Sequence, residues 1–178
     1  MLETLAIFVG LLALAIAGIV AYASTRPDEF AIARSTRIEA PPERVFPHIA
    51  SLRAMNAWNP FLAPDPNIEI TYSGPESGKG AVHTWRGNRE VGEGRIEITE
   101  AIPSSKVCMQ LDMLKPMTAR NAVEFTLQSE GSGTTVTWAM KGRQPLMAKI
   151  MTIFIDCDRM VGQRFEQGLD SLKGILQR

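Results

Sequence analysis

Two periodicities divide the chain. Across residues 67–140 apolar side chains recur at every second position, the signature of strands with one buried face. Ile68, Ile70 and Tyr72 alternate, then Ala81, His83 and Trp85, then Ile96 and Ile98 on a strand over residues 90–100. Val107, Met109, Leu111 and Met113 alternate cleanly against Cys108, Gln110 and Asp112. Val123, Phe125 and Leu127 follow, and Val136, Trp138 and Met140 close the series. Turn clusters separate these runs at residues 74–78, 87–88, 102–105 and 130–133, so the pattern predicts hairpin-connected strands in an antiparallel meander. One earlier strand, residues 30–39, has an imperfect pattern that a bulge would explain. Ala40-Pro41-Pro42-Glu43 stops it and starts a helix whose apolar face is Val45, Phe46, Ile49 and Ala50. A second short helical turn over residues 52–58 ends at Asn59-Pro60.

Beyond Pro145 the period changes. Leu146, Ile150, Ile153, Phe154, Cys157, Val161, Phe165, Leu169, Leu172, Ile175 and Leu176 are spaced mostly by three or four, as on one face of a helix. Lys149, Asp158, Arg159, Gln163, Glu166, Gln167, Asp170 and Lys173 occupy the other face. Read as unbroken, residues 145–177 form a helix about 48 Å long. Such a length needs a broad apolar surface to receive it, and a curved antiparallel sheet supplies one. The fold class predicted is therefore α+β, with the sheet around a long C-terminal helix.

A third pattern opens the chain. The run that begins at Leu5 and closes at Ala23 carries no charge, and as a helix it reaches about 28 Å, close to the hydrocarbon thickness of a bilayer. Tyr22 sits where an interfacial aromatic belongs. The rival reading is a cleaved signal peptide, for which Ala21-Tyr22-Ala23 offers a small-x-small site. The flank MLET has an acid and no base, which favours a retained transmembrane anchor. No Lys or Arg precedes the run, whereas Arg26, Arg34 and Arg37 follow it. The positive-inside rule then gives a single-pass membrane protein with a cytoplasmic domain. The division expected is residues 1–26 for the anchor and its flank, and residues 27–178 for the domain.

Charge narrows the partners. The 19 basic and 19 acidic residues balance, so no basic field exists to hold nucleic acid. The two cysteines, Cys108 and Cys157, form no CxxC and read as small buried apolar residues. Gly74-Pro75-Glu76-Ser77-Gly78-Lys79-Gly80 has one residue too few for a phosphate-binding loop and joins two strands. Neighbouring residues of a helix point apart, so Asp156-Cys157-Asp158 alone makes no chelate. No metal or cofactor is expected. Of the two histidines, His48 reads as a surface residue, and His83 shares a strand face with Trp85. His83 has no Ser, Cys or carboxylate partner at identifiable spacing, so no catalytic residue is assigned.

The order β, αα, strands, long helix meets particular residues. Ile38, Ala40, Pro41, Pro42, Glu43, Val45, Phe46 and Ile49, with Trp58 and Pro60, form an opening that resembles the START-like, or SRPBCC, superfamily. Gly74-Pro75, Gly78-x-Gly80, Trp85 and Gly87 continue the likeness. Gly131-x-Gly133-Thr134-x-Val136-Thr137-Trp138 and Phe165-Glu166-x-Gly168-Leu169-x-x-Leu172-Lys173 complete it. The chain looks like the polyketide cyclase/dehydrase branch from about residue 30 onward, with an added membrane span. The resemblance implies a helix-grip fold with a cavity between sheet and helix. Members of the superfamily bind lipids, polyketides, sterols or quinones, and only some are cyclases. No catalytic motif of the cyclases carries over.

Period-two counting places His83, Trp85, Met109, Leu111, Met113, Phe125 and Trp138 on the walls of that cavity. Helical counting adds Met147, Ile150, Met151 and Phe154. A bulge at Gly92 or Gly94 would turn a strand's side chains to the other face. Met adapts its shape to apolar ligands, so the function expected is a membrane-anchored binding module for a hydrophobic small molecule or lipid. The alternatives are a cyclase-like enzyme acting on an aromatic substrate and an interaction domain with a closed core.

Overall fold

The structure is a computed structural model and describes residues 2–177. An apolar helix, α1 (Leu2–Ser24), precedes strand β1 (Glu29–Ile38) and two short helices, α2 (Pro42–Ala50) and α3 (Leu52–Asn56). Six strands follow: β2 (Glu69–Ser73), β3 (Val82–Arg86), β4 (Glu93–Ile102), β5 (Lys106–Lys115), β6 (Ala119–Glu130) and β7 (Gly133–Arg143). They form one seven-stranded sheet in the order β1-β7-β6-β5-β4-β3-β2, with every neighbouring pair antiparallel. The meander is as expected. The sheet returns to β1 only at its far edge, where β7 closes against it in an unbroken register from Glu29↔Arg143 to Ile38↔Thr134. The expected bulge in the first strand is therefore absent. Irregular register falls instead in β4, at Glu93/Gly94 and at Ile98/Glu100.

One sheet face carries the core. Its cross-strand partners run Ile70↔Trp85, His83↔Ile96, Ile98↔Met109, Met109↔Val123 and Phe125↔Trp138. All of these except Ile70 are buried, so each strand contributes alternate residues to one layer. Helix α5 (Cys157–Leu176) lies across this layer and buries Gly162, Phe165, Gly168, Leu169, Leu172 and Leu176, one helical stripe. At Gly168 it comes close to β7: a Cβ there would lie 2.8 Å from the Trp138 ring. The start of α5 is tied to β1 by ions. Arg34 Nη2 lies 2.9 Å from Asp158 Oδ2, and Arg34 Nε lies 3.0 Å from Glu166 Oε1. Gly162 lies between those two acids on the same helix face and leaves room for the guanidinium.

The long C-terminal helix of the sequence reading is corrected: it is two helices. Helix α4 (Leu146–Phe154) ends at Ile155, which is extended. Asp156 then caps α5 by accepting a hydrogen bond from the Arg159 N–H at 2.9 Å. The broken helix sends α4 to α1 and leaves only α5 on the sheet. At that contact Ile19 and Val20 are half-buried and Ala23 is fully buried. Arg26 donates to the Thr152 carbonyl and hydroxyl, and Lys149 Nζ meets Asp28 Oδ1 at 2.6 Å. Lys149 was expected in water, yet it is 5% exposed. The hydrogen bond from Lys149 holds the Asp28 carboxyl below the usual carboxylate range. Both cysteines are half-buried rather than in the core; Cys108 lies between Glu100 and Glu124.

The close approach of α5 yields a paired test. Gly168→Val should lower the unfolding free energy by about 1–3 kcal/mol, because the added methyls meet the Trp138 ring and Pro60. Gly174→Ala should raise it by up to about 1 kcal/mol, because that helical position faces open space. Urea titrations followed by far-ultraviolet circular dichroism read both. Equal effects would mean that α5 does not sit this close to the sheet.

Candidate ligand-binding site

Helix α3 is only one turn and a half long. The Ser51 side chain caps its start, and Leu52 and Met55 pin it to the core. That fixes Asn56, its last residue, against the edge of the sheet. Asn56 Nδ2 donates to Tyr72 Oη at 2.8 Å and lies 3.1 Å from His83 Nδ1. With the amide in this orientation, Nδ1 accepts and the imidazole proton sits on Nε2. Register brings Tyr72 and His83 directly opposite each other. The His83 ring meets the Tyr72 and Trp85 rings edge-on, at 5.8 and 5.4 Å. The Arg53 guanidinium covers the Tyr72 ring, 4.0 Å from its centroid. His83 is 1% exposed, and burial pulls its pKa down to about 4. It is therefore a neutral hydrogen-bonding group at pH 7.

An open cleft of about 510 Å³ lies beside this group. One wall is the segment from Asn56 to Ala63, a second is Ile68 and Ile70, and the third is Arg164, Gln167 and Ser171 of α5. Trp58, Leu62, Ile68 and Ile70 make the lining apolar, and the polar groups come from both sides of it. Arg164 crosses one end, donating to the Pro60 carbonyl and to Glu90 Oε1, each at 3.4 Å. Asp65 holds the neighbouring loop by accepting from the Asn88 N–H at 2.6 Å. Among the described residues three buried side-chain polar atoms have no partner: Asn56 Oδ1, Trp85 Nε1 and Trp138 Nε1. Asn56 lines the cleft, so one of the three sits in its wall. No group of three or more His, Cys, Asp or Glu suited to a metal ion occurs among the described residues.

The predicted wall residues separate into three groups. His83 and Trp85 are brought together, with Tyr72 and Asn56 beside them, and reach the cleft only through Asn56, since neither lines it. Met109, Phe125 and Trp138 are closed inside the core, where Trp138 stacks on Phe165 at 4.3 Å and meets Trp58 and Phe61 edge-on. Leu111 and Met113 are half-buried against that core. Met147, Ile150, Met151 and Phe154 belong to α4, with Ile150 half-buried and the other three exposed. The helix break takes these four away from the sheet, and none of them lines the cleft. The sequence reading missed Asn56, Ile68, Ile70, Arg164 and Gln167. Ile68 and Ile70 carried a signal in their alternation, whereas Gln167 read as a water-facing helix residue.

A curved antiparallel sheet gripping a C-terminal helix, with a cleft at its edge, defines the START-like helix-grip class. The chain belongs to the family described as polyketide cyclase/dehydrase and lipid transport, whose model matches residues 29–177. No curated protein sequence matches it. Among solved structures it is similar to protein MLL2253 from Mesorhizobium loti, with a TM-score of 0.62 and 14% identity over 84% of this chain and 98% of that one. It is also similar to the Aha1 dimer from Colwellia psychrerythraea, with a TM-score of 0.58 and 21% identity over 83% and 96% of the two chains. Ara h 8.0201 matches with a TM-score of 0.57 and 12% identity over 84% and 98%. These likenesses concern the fold.

The buried imidazole gives a pH dependence of known sign. The unfolded chain protonates His83 near pH 6.5, whereas the folded chain does so near pH 4. Its contribution to stability is present in full above about pH 6.5 and is lost progressively as the pH falls toward about 4. The full loss is on the order of 3 kcal/mol. His83→Gln should remove this slope, measured as the difference between urea unfolding curves of the two proteins at several pH values. Parallel pH profiles would show that His83 titrates in the fold as it does in the unfolded chain.

Proposed function

We propose that this protein is a membrane-tethered binding module that holds a hydrophobic small molecule or lipid in the cleft between the Asn56–Ala63 segment, β2 and α5. The observation that carries the reading is the cleft itself. Its volume, about 510 Å³, falls in the range of ligand pockets, and its lining is apolar with a few polar groups. Apolar contact supplies affinity at roughly 25 cal/mol per Å² buried, without a charge to neutralise. Asn56 Oδ1, buried and without a partner, is the acceptor that a ligand donor would have to reach, and the Asn56–His83–Tyr72 chain holds its amide in place. The family's association with lipid transport agrees with such a ligand.

Binding is favoured over catalysis by what surrounds the imidazole. His83 is neutral, buried and flanked by aromatic rings and an amide, with no nucleophile or carboxylate bonded to it. The tether is α1, whose residues Glu3–Ser24 are long and apolar enough to cross a membrane and are exposed along most of their length. Retention of that helix, with the domain in the cytoplasm, is part of the proposal.

Lipid extraction of the purified full-length protein followed by mass spectrometry identifies the ligand class. Ala57→Trp, which fills the cleft from its rim, should lower the retained ligand at least several-fold, and Trp85→Ala should weaken binding of a hydrophobic fluorescent probe. His83→Gln should change selectivity among probes more than affinity. Wild-type binding by all three folded variants would move the site elsewhere. Turnover of an aromatic polyketide that His83→Gln abolishes would favour the enzymatic reading.

A further inference from the structure

Strand register sorts the loops to two ends of the sheet. One end collects the start of β1, the end of β7, the β5–β6 hairpin and the β3–β4 loop, through the pairs Glu29↔Arg143, Asn121↔Gly142, Met113↔Ala119 and Arg86↔Glu93. Helix α1 enters the domain at this end, and α4 leaves β7 there. Among the described residues, apart from Phe61, Ile102 and Ile175, every exposed large hydrophobic side chain outside α1 is on α4, at the α4–α5 junction, in the first turn of α5 or on the β5–β6 hairpin. These are Leu146, Met147, Met151, Phe154, Ile155, Met160, Leu114 and Met117.

Helix α4 is amphipathic in the reverse sense. Leu146, Met147, Ile150, Met151 and Phe154 share one face, and Met147 and Phe154 on it are 69% and 71% exposed. Its polar residues turn inward: Lys149 to Asp28, and Thr152 to Arg26. A helix that puts its lysine inside and its methionines outside is not built to face water. Its neighbour is the apolar helix α1, so its outward face is continuous with a surface already suited to lipid. One face of nine residues of helix, about 13 Å long and about 10 Å across, offers on the order of 130 Å², well short of the roughly 800 Å² per partner that a stable protein dimer buries.

We propose that this end of the domain is a second membrane contact. The apolar face of α4 and the Leu114–Met117 hairpin tip lie in the interfacial layer of the bilayer beside the exit of α1. Arg164, on the cleft wall, bonds to Glu90 in the loop at this same end, so the cleft opens close to the lipid surface. The inference rests on the reading of α1 as a retained span.

The test uses full-length protein in phosphatidylcholine vesicles, with Cys108 and Cys157 replaced by serine and one nitroxide label per variant. Labels at Met147→Cys, Phe154→Cys and Met117→Cys should collide several-fold more with oxygen, relative to a water-soluble nickel chelate, than a label at Ser132→Cys. Ser132 lies in the β6–β7 turn at the opposite end. A label at Leu12→Cys reports on α1 separately. Lipid exposure at residue 12 with aqueous values at 117, 147 and 154 overturns the proposal and leaves the anchor intact. Aqueous values at residue 12 remove the anchor, and this inference falls with it. Dipolar broadening between copies at residue 154 also overturns it, because a second chain would then cover the face.

Discussion

The inner face of the sheet can receive only so much helix. Helix α5 has 20 residues and spans about 30 Å, with its buried stripe running from Gly162 to Leu176. The apolar periodicity of the C-terminal region runs some 18 Å further, and that excess has no sheet to lie on. The chain resolves this at Ile155–Asp156. One extended residue and one carboxylate cap stop the first helix, start the second and change direction. Arg34 then fixes the start of α5 by bonding two acids that flank Gly162. Everything upstream of the break is free to serve a different surface.

The same limit shapes the site. Where α5 approaches closely, at Gly168, stacked aromatic rings lie between sheet and helix. The cleft opens beside β2, where the segment after α3 stands off from α5. The buried histidine that holds Asn56 is neutral because no charge partner repays its desolvation. In that form it accepts at Nδ1 from the Asn56 amide, which it holds against the sheet edge.

The strands, the two short helices and the helix-grip arrangement were legible because each rests on a local period. Six of the strands alternate, and a register error would have exposed a whole apolar face. The disturbance beside Gly94 was also legible, since a glycine in a strand marks a place where something comes close. Here it is the Trp85 ring. The helix break was not legible. Ile153, Phe154, Cys157 and Val161 carry the three-four spacing straight through it, and Asp156 reads equally well as a polar-face residue or as a cap. That one ambiguity misplaced Met147, Ile150, Met151 and Phe154. Asn56 was hidden for another reason: its partners are 16 and 27 residues away, and no local pattern says where the short helix that carries it packs on the sheet.

The connection between α1 and the sheet is too short and too well bonded to be a loose tether. Four residues separate Ser24 from Glu29, a reach of at most about 14 Å. Two of them, Arg26 and Asp28, bond to α4, and the Asp28 carbonyl accepts from the Gln144 N–H at 2.6 Å. A flexible linker would let the domain turn freely about α1. This one transmits the direction of α1 into the first strand and into α4 together. Since β1 pairs with β7 along its full length, the same direction is imposed on the whole sheet. The end of the domain that faces the base of α1 is therefore set by covalent geometry and ion pairing, and the loops at that end are the ones beside the cleft.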